Sequence, residues 1–172
     1  MRLYVPTTLD ELLDAASAPL WTIEPRAAHA VTAPLQESEP DEDLEGWEFV
    51  AALEAADDSL ALIAGLGDVP RQRVVVTVEV PDEAVRVIGV VPTDDTPDDA
   101  PAPSAVEIVQ TVPEVEIVCA HVDEPGASVD VEAVIAAVDT DDDEALARAL
   151  DRLGERGLLW YDRSELADIP QE

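Results

Sequence analysis

Apolar and polar positions alternate most strictly at residues 71–91, RQRVVVTVEVPDEAVRVIGVV. Val74, Val76, Val78 and Val80 share one face of a strand and Val75, Thr77 and Glu79 the other, the period of two that an extended chain imposes. The turn-like Pro81, Asp82, Glu83 and Ala84 separate this run from a second β-branched run at 85–91, which predicts a hairpin. The helical pattern is clearest at 46–66. Phe49, Leu53, Ala56, Leu60 and Ile63 fall on one stripe, which predicts a helix that turns those residues onto the sheet.

The flanking segments follow the same two periods. MRLYV opens the chain as a strand ended by Pro6, and Thr8 with Glu11 forms a capping box before a helix over 8–17. Further strands are predicted at 28–32, 106–112 and 115–122, with Val115, Ile117, Cys119 and His121 on one face of the last. That run is apolar on both faces, as a central strand would be. Helices are predicted at 129–138, behind Ser128, and at 142–156, followed by a short buried strand LLWY at 158–161 and a last turn at 164–167. Residues 36–45 read as a solvated acidic loop, and 93–103, TDDTPDDAPAP, as a mobile loop rich in Asp and Pro. The sum is a single α/β domain over 1–172, with a mixed sheet of five or six strands covered by about four helices. An α+β arrangement is the other reading.

Composition changes this picture in one respect. Forty acidic residues face nine arginines, for a formal net charge of −31, and the chain has neither lysine nor asparagine. The codon usage of a GC-rich genome explains that bias most simply. Adaptation to a salt-rich cytoplasm and mimicry of nucleic-acid charge are the alternatives. Direct binding to nucleic acid is opposed by repulsion from phosphates. One cysteine, Cys119, excludes an internal disulfide, and no secretory leader or apolar run of membrane-spanning length is present, so a cytoplasmic location is expected.

Candidate chemistry is sparse. His29, Cys119 and His121 could meet as a nucleophile with bases or as zinc ligands if their strands were neighbours, although a cysteine in an apolar strand is more often a small hydrophobe. No metal or cofactor is expected. His121, Asp123 and Glu124 lie where a strand runs out into a loop, the preferred place for a ligand. Tyr4, Trp160 and Tyr161 could line a pocket but fit core anchors better. Arg148, Arg152 and Arg156 recur every four residues, an arrangement that helix ion pairs explain more simply than an anion site.

Several short runs resemble an uncharacterised family of small acidic actinobacterial proteins, a domain of unknown function. They are MRLYVPTTL at 1–9, AHAVT at 28–32, DDSLALIA at 57–64, RVVV at 73–76, AHVDEP at 120–125 and LLWYDRSEL at 158–166. The resemblance brings no catalytic residue, ligand or partner, and marks 93–103 as a local insertion. The functional expectation is a non-enzymatic binding or regulatory module that acts through protein contacts. A small enzyme or ligand-binding domain around His29, Cys119 and His121, and an acidic decoy of nucleic acid, are the alternatives.

Overall fold

The computed structural model describes residues 1–97, 99–140 and 142–171. Strand β1 (Arg2–Thr7) leads into α1 (Leu9–Ala16), then β2 (Trp21–Ile23), β3 (Arg26–His29), α2 (Ala33–Ser38) and α3 (Leu44–Gly65). Next come β4 (Val74–Glu79), a 3-10 turn at Asp82–Ala84, β5 (Val85–Val87), β6 (Ala105–Ile108), β7 (Val112–Val115) and β8 (Ile117–Asp123). Helices α4 (Ser128–Asp139) and α5 (Asp143–Gly154), β9 (Leu158–Asp162) and a 3-10 turn at Arg163–Asp168 complete the chain. Seven strands form one sheet in the order β5-β6-β3-β1-β4-β8-β9, while β2 and β7 make a separate ribbon. The α/β class is as predicted, and every ladder is antiparallel rather than mixed.

One sheet face carries the main core. Leu3, Val5, Val74, Val76, Val78, Ala120 and Val122 pack there against Leu9 and Leu12 of α1, Leu166 of the last turn, and Ile23, Val112 and Val115 of the ribbon. On the opposite face α3 lies across β1, β3 and β4. Its contact with Tyr4 and Val75 is made by Ala51, Ala55 and Ala56. Beyond the sheet, α4 and α5 pack on each other and on Ile63 at the far end of α3.

The predicted hairpin does not form. Strand β4 is central, flanked by β1 and β8, and β5 pairs instead with β6 at the opposite edge. Both hydrogen-bonding edges of β4 are therefore taken, and the 3-10 turn carries the chain away rather than back. The predicted stripe of α3 is also rotated. Phe49 and Leu53 are 63% and 43% exposed, and the buried positions are Ala51, Ala55, Ala56, Ser59 and Ile63. Small side chains let the helix backbone come close to the strands, and the large ones are left to the side.

Other boundaries shift for local reasons. Pro6 lies inside the β1 ladder opposite Val75 rather than ending it. Its carbonyl accepts from Arg26 Nη2 at 2.7 Å. In an antiparallel strand a residue's N–H and C=O point to the same side, so the missing donor faces a side that asks for no ladder bond. The strand expected at 28–32 is β3, which starts two residues and ends three residues earlier, because Thr32 caps α2 by accepting from the Leu35 amide at 3.1 Å. That helix also takes the first residues of the expected acidic loop. The run at 106–112 splits into β6 and the start of β7. LLWY is an exposed edge strand, not a buried one, with Trp160 57% exposed. Of the segment 93–103, Asp98 lies outside the described residues. Its far end is docked: Thr32 Oγ1 donates to the Pro103 carbonyl at 2.5 Å, and a Cβ on Gly89 would fall 2.3 Å from that same oxygen.

Ser59 fastens α3 to the sheet. Its hydroxyl donates to the Thr7 carbonyl at 2.8 Å and accepts from the Val74 amide at 2.9 Å, at the end of the β1–β4 ladder. All three groups are buried, so deleting the hydroxyl leaves a donor and an acceptor without water or partner. Ser59→Ala is expected to lower stability by about 1–3 kcal/mol, seen as a lower urea midpoint at unchanged m-value.

Candidate functional site

Helix α3 covers only part of its sheet face, and the uncovered part is a groove of about 860 Å³. Its floor is set by strand register. Tyr4, Thr77 and Cys119 lie in one row across β1, β4 and β8, and Val75, His121 and Trp160 lie in the next across β4, β8 and β9. One wall is the outward stripe of α3, with Phe49, Ala52 and Leu53; the other is Leu153 of α5 with Leu158 and Trp160. Glu45, Glu48 and Asp57 stand along the α3 side, and Arg2 and Arg156 at the two ends.

Two floor atoms have no hydrogen-bond partner. Among the described residues Thr77 Oγ1 and His121 Nδ1 are buried and unmatched. An unsatisfied buried polar atom costs about 1–3 kcal/mol, so each calls for an account. Burial holds the His121 imidazole below the ordinary histidine pKa, which keeps it neutral at pH 7. Neutral imidazole offers one donor and one acceptor. Tyr4 is pushed up to about 12, first by burial and then by the charge of Glu48, so it stays a phenol. The floor thus presents neutral polar groups set in apolar surroundings.

The cationic groups around it are already engaged. Arg73 is clamped by Asp123: Nη2 donates to Oδ1 at 2.8 Å, Nε to both oxygens at 3.1 Å, and the Arg73 amide to Oδ2 at 2.8 Å. Arg156 binds Asp130 at 2.7 Å and Glu124 at 3.3 Å, and Arg152 binds Asp130 at 2.9 Å. Those guanidiniums hold the Asp130 carboxyl below its usual range. Arg148 pairs within α5 with Glu144 at 3.4 Å, so of the arginine row only Arg152 and Arg156 reach α4. Arg2 is bridged to Glu48 and Glu79 at 3.1 and 3.3 Å. Glu45 and Asp57 hold no salt bridge among the described residues.

The candidate residues are therefore divided. Cys119 and His121 share the groove floor, but no hydrogen bond joins them. His29 lies in the same cross-strand row as Cys119, with β1 and β4 between, about 14 Å of strand spacing away. There it accepts or donates at Ser104 Oγ, 2.7 Å from Nδ1, and meets Asp58 Oδ2, 3.2 Å from Nε2. His29, Cys119 and His121 cannot hold one metal ion or form one catalytic group. Asp123 and Glu124 are occupied by Arg73 and Arg156, which leaves His121 as the part of that run that faces the groove. Sequence reasoning passed over Thr77, Phe49 and Leu53. A lone hydroxyl in VVVTV was the available signal for the first.

The model of family DUF6912, a family of unknown function, matches residues 1–169. The chain belongs to that family. No curated protein and no solved structure matches this DUF6912 chain. No helix among its described residues is long and apolar enough to cross a membrane.

Two outcomes follow from the site's electrostatics. Asp123→Ala leaves the Arg73 guanidinium buried without its counter-ion and is expected to cost about 3–5 kcal/mol in chemical denaturation. His121 has a lowered folded pKa, so below about 6.5 the unfolded chain binds a proton that the fold refuses. That contribution to stability is full above pH 6.5 and is lost as pH falls toward the folded pKa. His121→Gln should therefore lose less stability than the native chain between pH 7.5 and 5.5, read as the difference in urea midpoints.

Proposed function

We propose that this domain is a non-catalytic binding module whose groove takes a small ligand with an apolar body and hydrogen-bonding groups. The observation that carries the reading is the pair of unmatched atoms, Thr77 Oγ1 and His121 Nδ1, at the floor of an apolar cleft. A cleft of this volume, mostly apolar with a few converging polar groups, has the make-up of small-molecule sites. The exposed apolar side chains beside it, Phe49, Leu53, Val118 and Trp160, give the ligand surface to cover. A catalytic reading lacks support from the geometry, since the Cys119 thiol has no base bonded to it.

The test is a fragment screen read by amide chemical shifts. Hits are expected to move Thr77, Val118, Cys119, His121 and Trp160 together. Leu53→Glu, at an exposed position, should weaken them at least ~10-fold, about 1.4 kcal/mol, without disturbing the fold. Thr77→Val removes a buried, unmatched hydroxyl, so it should stabilise the free protein by about 1 kcal/mol while weakening the same hits. Fragments that map elsewhere, or that bind the Leu53 variant as well as the native chain, overturn the reading.

A further inference from the structure

The distribution of charge around the groove narrows the class of ligand. An anion would need a free cation, and among the described residues the groove offers none: Arg2, Arg73 and Arg156 each face carboxylates at 2.7–3.3 Å. Two carboxylates are left over. Glu45 stands at one end of α3's groove side and Asp57 near the other, and neither holds a salt bridge among the described residues. Asp57 is raised in pKa, by burial first and by neighbouring Asp58, despite the opposing charge of Arg73. Such a carboxyl gains from a positive partner.

The floor fits the same charge. Thr77 is 3% exposed, and its unmatched oxygen can accept a hydrogen bond. Neutral His121 supplies a nitrogen lone pair as a second acceptor. Tyr4, Phe49 and Trp160 line the cleft, half of the chain's six aromatic residues, and aromatic faces attract cations by about 0.5–2 kcal/mol. The net charge of −31 draws cations toward the protein and turns anions away.

We infer that the ligand of this groove is an organic ammonium on an apolar or aromatic body, its N–H groups donating to Thr77 and His121 and its charge facing Asp57. This rests on the groove being the ligand site, and the experiment separates the two ideas. Three probes share one body and differ only in charge: 3-phenylpropylammonium, 3-phenylpropanol and 3-phenylpropionate. Each is titrated at ~150 mM salt, where the screening length is about 8 Å, and followed by amide shifts.

The ammonium should bind at the groove residues at least ~10-fold more tightly than the alcohol, and the carboxylate more weakly than either. Asp57→Asn should weaken the ammonium ~5-fold or more and leave the alcohol unchanged, while Asp14→Asn on the opposite side of the sheet should change neither. Equal binding of alcohol and ammonium in the groove overturns the cation assignment and leaves the binding site standing. Equal losses in the Asp57 and Asp14 variants overturn it too, because the attraction would then be the diffuse field of the whole protein. Failure of all three probes to shift groove residues overturns both the assignment and the site.

Discussion

The close seat of α3 on the sheet decides what the rest of the molecule can do. Its inner face is Ala51, Ala55, Ala56 and Ser59, so its backbone comes near enough for a serine hydroxyl to bond to the backbone of two strands. A helix held that low covers a narrow width of sheet. Three of the seven strands, β1, β3 and β4, lie under it. Strands β8 and β9 continue past its edge, where Phe49, Leu53 and the α5 end border the sheet, and the cleft is the result. Larger residues on the inner face would lift the helix and close the cleft with their own volume, since interiors pack near crystal density.

Charge is handled by spending the few cations locally. Eight of the nine arginines hold carboxylates, and Arg163 donates to the Ala18 and Pro19 carbonyls. Among the described residues only the Arg73–Asp123 pair is deeply buried, where four hydrogen bonds offset the desolvation of both ions. The exposed pairs contribute little each, about 0–1 kcal/mol, yet they remove positive charge from every candidate anion site. The periodic row at 148, 152 and 156, suggestive in sequence, is engaged in the same way: Arg148 pairs within α5, and Arg152 and Arg156 hold Asp130 of α4.

The strongest strands were legible because β4 reads as near-continuous valine and β8 as largely apolar on both faces. The class of fold followed from them. Pairing was not legible: β4 finds β1 and β8 as neighbours through contacts distant in sequence, and a plausible turn at Pro81–Ala84 says nothing about whether both edges are already filled. The inner face of α3 was misread for a different reason. The helix is apolar around most of its circumference, so a four-three spacing can be drawn through Phe49 and Leu53 as easily as through the alanines. Side-chain size, which sets the approach to the sheet, chooses between them. His121 and Cys119 could be placed on one strand face, but the groove they share depends on where a helix stops covering them, and no local pattern records that.

Thr77 and His121 lie where the low seat of α3 leaves the sheet uncovered. A domain with a net stability of about 5–15 kcal/mol carries at this floor two unmatched polar atoms costing about 1–3 kcal/mol each. Neither is needed to complete the fold: the valines around Thr77 show that the strand accepts an apolar residue there, and His121 anchors no neighbour through Nδ1. Buried polar atoms that weaken the free protein and sit beneath a cleft are what the proposed ligand would have to satisfy. Local departures from good packing of this kind concentrate at functional sites, where a stability deficit in the free state becomes affinity when a matching group arrives. The low seat of α3 creates the opening, and the two orphan atoms lie at its floor.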